Sequence, residues 1–341
     1  MSARRMERLP LAGAVIARPA RVLGPLLAVG SLLRVLLGSA RLPNASRTGR
    51  AIRTCRSVTV VAAVGALSAF APSVANAAGE SYVSMGDSYT AGPGILPYST
   101  TAPPGCGQSQ ANYPHLVASA LSLSLTDVSC GGAATVNFEK EQVLQFPPNN
   151  PPQFNALSAT TEVVTVGMGG NDGGLFGTLV KGCTGLDFGQ PNVGAPCKEH
   201  FEGFVKATRE EFQPIQEAAL AEIHVLAPNA KVFVVGYPDI TPANGYCPEA
   251  MPWTTGDMRW FRNEVQIPGN ETLKHEAANT GAVFVNTFAN SIGHDVCERP
   301  GVRWIEPLFG SLTGVAVHPN AMGEEQDALQ VEKVMVQNGV S

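Results

Sequence analysis

Three short segments carry side chains that together could transfer an acyl group. Ser88 lies in GDSYTAG, Asn171 in VGMGGNDGG and His318 in VHPNAMG. A serine hydroxyl becomes a nucleophile when an imidazole removes its proton, and a carboxamide can donate to the oxyanion that forms when an acyl carbonyl is attacked. Each segment alone is explained as well by a helix cap or a turn. Together they predict Ser88 as nucleophile, His318 as general base and Asn171 as oxyanion donor.

The segments around these residues predict the elements that position them. Continuous apolar, β-branched runs predict buried strands, and longer segments between them predict helices. This alternation predicts a three-layer α/β/α sandwich with a central, mostly parallel sheet, in which ligand sites form beyond the carboxyl ends of the strands. Ser88 and Asn171 both follow such a run. The predicted strands are residues 81–85, 161–168, 230–238 and 282–287, and the predicted helices are residues 202–226, 259–279 and 321–337.

In chain order, GDSYTAG, the glycine block in VSCGGAAT, GGND and HPNAMG resemble the conserved blocks of the SGNH hydrolases, also called the GDSL lipase/esterase family. The similarity extends from residue 82 to about residue 323, and secreted actinomycete esterases and lipases with three disulfides are the members most alike. The resemblance implies a flavodoxin-like fold and a cofactor-free ester hydrolase. It also implies an oxyanion hole formed by the Ser88 amide, the Gly132 amide and the Asn171 side chain, and a lipid or small acyl ester as substrate.

One position departs from the family pattern. Members usually carry an aspartate three residues before the histidine, and Val315 stands there in this chain. Because the Nδ1–H of the ring needs an acceptor rather than a charge, the backbone carbonyl of Val315 could orient His318 and give a Ser-His dyad. Two alternatives remain open: a carboxylate such as Asp295 or Glu306 reaches the ring, or the enzyme is impaired.

The first 77 residues differ in composition from the rest of the chain. They hold eleven of the 23 Lys and Arg residues and one of the 28 Asp and Glu residues. A basic stretch and an apolar run, VTVVAAVGALSAFAP, precede the small-x-small sequence ANA at residues 75–77. A membrane anchor is disfavoured because Gly65 and Pro72 interrupt the run. We therefore expect a targeting segment over residues 1–77, removed after Ala77, and a secreted domain over residues 78–341.

The charge and cysteine content of residues 78–341 narrow the choice of partners. This part has 12 Lys and Arg against 27 Asp and Glu, a formal charge of −15, which disfavours nucleic acid or an anionic membrane surface as a partner. We expect a monomer and no stable membrane insertion of the mature protein. Six cysteines in an exported domain predict three disulfides, and sequential pairing would close three local loops. The pairs expected are Cys106–Cys130, Cys183–Cys197 and Cys247–Cys297. No C-x-x-C spacing or P-loop supports a metal or nucleotide site, so no cofactor is expected.

Other functions fit parts of the pattern. A standard α/β-hydrolase is disfavoured because Thr90 replaces the second glycine of G-x-S-x-G. The same site chemistry would serve an O-acetyl esterase acting on polysaccharide, and a surface-binding protein without activity could retain the fold. Side chains lining the cleft would distinguish a lipase from a sugar esterase. The candidates are residues 97–98, Phe176 and residues 251–253, and residues 146–152 and 183–197 are predicted to be surface loops.

Overall fold

The computed structural model describes residues 79–341, and its centre is a single five-stranded sheet. The strand order is β2-β1-β3-β4-β5, and every neighbouring pair is parallel. The predicted α/β fold with a parallel sheet is therefore confirmed. The strands are β1 (Ser81–Gly86), β2 (Ser124–Asp127), β3 (Val163–Gly167), β4 (Lys231–Val235) and β5 (Val283–Val285).

Helices connect the strands and cover both faces of the sheet. The longest is α4, whose 31 residues continue through an internal proline, Pro214. A six-residue π-helical segment, Phe261–Gln266, joins α5 to α6. The helices are α1 (Ser88–Ala91), α2 (Tyr113–Ala120), α3 (Leu175–Asp187), α4 (Pro196–Leu226), α5 (Thr255–Trp260), α6 (Ile267–Thr280), α7 (Thr287–Ser291) and α8 (Ala321–Gln337).

Alternating strand side chains build one apolar core on each face of the sheet. Because successive residues of a strand point to opposite faces, Val83 packs in the cluster that includes Ile223 of α4, and Tyr82 in the cluster that includes Val331 of α8. Both clusters also take side chains from the central strands β3 and β4. The sheet is thus sandwiched between α4 and α6 on one face and α2 and α8 on the other, in three layers.

The structure corrects the sequence reading at two places. Strand β2 was not predicted, because its four residues, SLTD, are polar and partly exposed at the edge of the sheet. The predicted loop over residues 183–197 is wrong at both ends, since Cys183 lies in α3 and Cys197 in α4. Three glycines mask the helical pattern of α3, and burial of Leu179 and Cys183 compensates for their low helix propensity.

The three disulfides join the same cysteines as the predicted sequential pairing: Cys106–Cys130, Cys183–Cys197 and Cys247–Cys297. Cys106–Cys130 ties the loop after α1 to the glycine turn that follows β2, and Cys247–Cys297 ties the segment before α5 to the loop that follows α7. Within residues 79–341, no helix has the length and apolar character needed to span a bilayer. The predicted targeting segment lies outside the described residues.

Candidate active site

Ser88 stands at the carboxyl end of the central strand β1, as the first residue of the short helix α1. Asp87 caps this helix, because its Oδ1 accepts the Tyr89 N–H at 2.9 Å. Glycine is required at position 86 because the last residue of β1 packs directly against Thr90 of α1: a Cβ at this position would lie 2.1 Å from Thr90 Oγ1. The backbone therefore holds the Ser88 hydroxyl at the edge of the sheet, where Ser88 remains 8 % exposed.

His318 lies in hydrogen-bonding contact with Ser88. Its Nε2 is 2.8 Å from Ser88 Oγ, and its Nδ1 is 2.8 Å from the carbonyl oxygen of Ala316. Because a carbonyl can only accept, Nδ1 carries the proton and Nε2 presents its lone pair to the serine hydroxyl. The ring also lies against two aromatic rings, with centroids 4.9 Å from that of Tyr89 and 5.6 Å from that of Phe176.

The carbonyl that orients the His318 ring belongs to Ala316 and not, as predicted, to Val315. The Val315 carbonyl instead accepts the backbone N–H of His318 at 3.2 Å. That bond closes a tight turn over residues 315–318, in which Val317 takes a left-handed conformation with φ 61°. The turn places the carbonyl of Ala316, rather than that of Val315, against Nδ1 of His318.

The two carboxylates considered for this role make other contacts. Glu306 accepts the Thr313 hydroxyl at 2.7 Å, and Asp295 accepts the Cys297 N–H at 2.9 Å. Among the residues that the structure describes, neither carboxylate forms a hydrogen bond or ion pair with the His318 imidazole. The imidazole is therefore oriented by a neutral acceptor.

The loop before His318 is held by several bonds against the strain at Val317. A left-handed φ is unusual for a β-branched residue and costs about 1–3 kcal/mol. The Val317 N–H donates to the Glu306 carbonyl at 2.9 Å, and the His318 carbonyl accepts the Glu306 N–H at 2.8 Å. The Tyr89 hydroxyl donates to the Val317 carbonyl at 2.5 Å. These bonds fix His318 relative to the helix that begins with Ser88.

Three hydrogen-bond donors are available near the nucleophile. Asn171 follows β3, and its Nδ2 donates one hydrogen to the Ala133 carbonyl at 2.9 Å, which leaves the second amide hydrogen free. Gly132, the residue before Ala133, has φ 76°. The backbone N–H groups of Ser88 and Gly132 have no acceptor within residues 79–341. The Cys130 N–H donates to the Gly86 carbonyl at 3.1 Å, which brings this glycine turn beside the end of β1.

Burial changes the electrostatics of the site. It lowers the pKa of His318, and the bond to the Ala316 carbonyl opposes this change. Burial also raises the pKa of Asp87 to about 7, even though hydrogen bonds from Tyr237 and Tyr89 favour its ionised form. The imidazole is therefore neutral at neutral pH, in the form that can accept a proton from Ser88.

A cavity that is partly open to solvent begins at Ser88 and Asn171 and extends between α3, α4 and the π-helical segment. Arg209 is its single basic lining residue within residues 79–341. Gly132 does not line this cavity. Most of the wall beyond the serine is apolar and consists of Leu175, Phe176, Leu179, Val205, Phe212, Phe261 and Val265.

The predicted lining residues are partly corrected. Phe176 lines the cavity, but Met251 and Trp253 are buried in the core and Tyr98 lies on the surface outside the cavity wall. The wall on α4 was not identified from the sequence. Its signal was the spacing of Val205 and Phe212, which are seven residues apart and so lie on one helix face.

Within the described part of the chain, no group of three or more His, Cys, Asp or Glu residues could hold a metal ion.

Comparisons with known proteins bear on the family and on the fold. The model of the GDSL-like Lipase/Acylhydrolase family matches residues 84–326. The chain is 40 % identical over 250 residues to Lipase 2 of Streptomyces coelicolor, covering 72 % of this chain and 83 % of the relative. The crystal structure of phospholipase A1 from Streptomyces albidoflavus matches with a TM-score of 0.60 and 27 % identity, covering 77 % of this chain and all of that one. The extracellular lipase of Streptomyces rimosus matches in fold with a TM-score of 0.61, 22 % identity and the same coverage.

Proposed function

This chain belongs to the GDSL-like lipase/acylhydrolase family, and we propose that it is a secreted esterase of lipid acyl esters that works through a Ser88–His318 dyad. It is a carboxylic ester hydrolase, as its family and its named relatives are. The observation that carries the proposal is the 2.8 Å contact between Ser88 Oγ and His318 Nε2, at the mouth of an apolar cavity.

In the proposed acylation step, His318 Nε2 takes the Ser88 proton as Oγ attacks the ester carbonyl carbon. The carbonyl π electrons move to oxygen and form a tetrahedral oxyanion. When the intermediate collapses, the bond to the alkoxy oxygen breaks, and His318 returns its proton to the leaving alcohol. The Ala316 carbonyl keeps its bond to Nδ1–H throughout and stabilises the imidazolium that forms transiently.

Deacylation repeats the same steps with water as nucleophile and releases the carboxylic acid. In both halves, the Ser88 N–H, the Gly132 N–H and the free Asn171 amide hydrogen donate to the oxyanion. The two backbone N–H groups have no other acceptor in residues 79–341, and the bond to Ala133 fixes the carboxamide plane. Donors held in place before the reaction stabilise the charge that develops without reorganising.

The cavity wall supports a lipid acyl chain as the acid part of the substrate. Its apolar residues can bury methylene groups, each of which contributes about 0.8 kcal/mol when it leaves water. Polar side chains such as Thr208, Gln213 and Gln216 also line the cavity, but apolar atoms supply most of its exposed lining surface, which favours an acyl chain over a sugar ring. The similarity to a phospholipase A1 supports the same substrate class.

The proposed secretion rests on the composition of residues 1–77 and on the three disulfides of the folded domain. Disulfides form and persist in oxidising compartments. We expect the secreted protein to begin at Ala78. N-terminal sequencing of protein collected from culture medium checks this, and a chain that begins at Met1 would contradict it.

The decisive experiment is hydrolysis of p-nitrophenyl esters from acetate to palmitate by the secreted protein. We expect the wild-type protein to turn these esters over, and the rate to fall at least 10³-fold in Ser88→Ala and in His318→Ala. In the wild type, rapid-quench mass spectrometry should detect a single acyl group on Ser88. We expect esters with chains of four carbons or more to react faster than acetate, because the cavity buries their methylene groups.

Two outcomes would redirect the proposal. Activity on acetylated xylan with none on long-chain esters would identify a polysaccharide O-acetyl esterase with the same dyad. Folded protein that hydrolyses every ester no faster than its Ser88→Ala variant would contradict this serine as nucleophile.

A further inference from the structure

Tyr237, directly after β4 and its following glycine, connects two loops of the site. Its hydroxyl donates to Asp87 Oδ2 at 2.6 Å and accepts the Gly170 N–H at 2.8 Å. Asp87 directly precedes the nucleophile, and Gly170 directly precedes Asn171. One oxygen atom therefore joins the turn that carries the nucleophile to the loop that carries the carboxamide donor.

Hydrogen bonds from helix α6 fix the backbone of Tyr237. Asn270 of α6 accepts the Tyr237 N–H at 2.8 Å and donates to its carbonyl at 2.9 Å, so both backbone groups of the tyrosine are bound. Its ring packs edge-on against Tyr89, with centroids 5.2 Å apart. The hydroxyl thus has little freedom to move.

Asp87 is shared by this bridge and a second one. Its Oδ1 accepts the Tyr89 N–H, and the Tyr89 hydroxyl reaches the carbonyl of Val317 beside the base. Asp87 is 1 % exposed, so its two oxygens depend on these protein donors rather than on water. One buried carboxyl therefore connects the segments that carry nucleophile, base and oxyanion donor.

We propose that Tyr237 is a positioning residue that sets the register of the oxyanion loop against the nucleophile through Asp87. This inference rests on the roles proposed above for Ser88 and Asn171. Tyr237 is not required to exchange a proton with substrate, because its hydroxyl already has a donor and an acceptor in the protein.

The consequence of losing the hydroxyl follows from those two bonds. In Tyr237→Phe, the Gly170 N–H loses its acceptor and Asp87 Oδ2 loses its donor, while the ring packing remains. The Asn171 loop is then free to shift from the oxyanion, and a shift of about 1 Å in such a group can cost 10²-fold in rate. Tyr237 lines the cavity, but the variant keeps its ring, so we expect substrate binding to change little and the loss to fall on kcat rather than on KM.

Asp87→Asn tests the same bridge from its other end. The new Oδ1 still accepts the Tyr89 N–H, but Nδ2 then faces the Tyr237 hydroxyl, which already accepts from Gly170. The hydroxyl hydrogen is left without an acceptor. Since both substitutions break one bridge, their effects on kcat should not add in the double variant.

The experiment compares Tyr237→Phe, Asp87→Asn and the double variant with wild type, using the secreted protein and p-nitrophenyl butyrate. The matched control is Tyr82→Phe, which removes another buried hydroxyl, bonded to Thr165 Oγ1 at 2.8 Å and not part of the cavity lining. Diethyl p-nitrophenyl phosphate titrates the competent serine: Oγ–P forms, the aryl P–O bond breaks, and the nitrophenolate released counts active sites.

We expect Tyr237→Phe to lower kcat 10- to 100-fold per titrated site, with KM within threefold of wild type, and Tyr82→Phe to keep kcat within twofold. The double variant should be no more than threefold below the worse single variant. An unchanged kcat in Tyr237→Phe, an equal loss in Tyr82→Phe, or multiplicative losses in the double variant would each overturn the inference.

Ser88→Ala separates failure of this inference from failure of the proposed function. If Ser88→Ala abolishes turnover while Tyr237→Phe retains it, only the positioning role is wrong. If Ser88→Ala remains active, the nucleophile itself is wrong and the bridge has no catalytic meaning.

Discussion

The acceptor for His318 Nδ1 is a neutral main-chain carbonyl, so no carboxylate is required to orient the imidazole. A main-chain carbonyl at 2.8 Å fixes the tautomer and the ring plane as a carboxylate would, but it adds no negative charge. Burial then lowers the pKa of the imidazole without a carboxylate to raise it again. The replacement of aspartate by Val315 therefore changes the electrostatics of the base more than its geometry.

A pH profile tests this account of the base. The proposed mechanism requires deprotonated His318, and burial lowers its pKa below the ordinary 6.5, so activity should persist to lower pH than an unperturbed histidine allows. The profile is measured in Asp87→Asn as well as in wild type, because Asp87 titrates near 7 in the same site and would give the wild type an acid limb of its own. We expect the acid limb of kcat/KM in Asp87→Asn to have its inflection below 6.5. A limb above 6.5 that persists in Asp87→Asn would contradict the low pKa of His318.

Asn171 should contribute to the transition state and little to substrate binding. Asn171→Ala removes one of three oxyanion donors, and kcat should fall by about 10²–10³ with KM within a few-fold of wild type. Steady-state kinetics on p-nitrophenyl butyrate check this. Asn229→Ala is the matched control, since the Asn229 side chain also donates to a backbone carbonyl, that of Ala159 at 3.0 Å. Asn229 lies just before the amino end of β4, whereas Ser88 and Asn171 follow the carboxyl ends of their strands. Equal losses in both variants would assign Asn171 a structural role.

At the scale of elements, the sequence predicts the strands whose residues are apolar because the fold buries them on both faces. Strands β3 and β4 are nearly continuous apolar runs buried on both sides, and β1 is buried over residues 82–86 although it contains Ser84. Strand β2 and helix α2 are short and polar or proline-containing, and only their contacts in the fold stabilise them. Nucleophile, base and carboxamide are recognisable because each stands in a distinctive motif.

The acceptor for His318 and the Tyr237 bridge were not predictable from the sequence. Ala316 acts through a carbonyl that every residue has, and only the backbone path at Val317 brings it to the ring. Tyr237 meets Asp87 across 150 positions of sequence. Contacts of this kind depend on strand order, which periodicity does not encode.

If the proposed acyl chain enters the cavity, helices α3 and α4 and the π-helical segment determine how long a chain fits, because they carry most of the apolar residues in its wall. Phe212 of α4 is half-buried in the cavity wall, and Phe212→Trp would add bulk inside it. We expect the ratio of decanoate to acetate turnover to fall at least tenfold, with acetate turnover itself within threefold. Phe204→Trp, on the same helix and outside the cavity lining, should leave the ratio unchanged. An unchanged ratio in Phe212→Trp would mean that the chain does not enter this cavity.

At the scale of the whole molecule, buried carboxyls outside the active site make stability depend on pH. Glu276 of α6 is fully buried, and neither carboxyl oxygen has a hydrogen-bond partner in residues 79–341. Burial, with nearby Glu217 and Asp172, raises its pKa to about 8. Burial raises the pKa of Asp327 in α8 to about 8 as well. The folded protein therefore holds these protons at pH values where the unfolded chain has released them.

Glu276→Gln tests this dependence. Between the ordinary carboxyl pKa of 4.5 and about 8, the folded state binds one more proton than the unfolded state, so the free energy of unfolding falls as pH rises. Each pKa unit corresponds to about 1.4 kcal/mol, and the contribution of this one group is on the order of a few kcal/mol. Urea unfolding at pH 5 and pH 9 should show a smaller decrease in Glu276→Gln than in wild type. Glu271→Gln, at an exposed position of the same helix, should keep the wild-type decrease, and an equal decrease in all three proteins would show that Glu276 is ionised in the folded state.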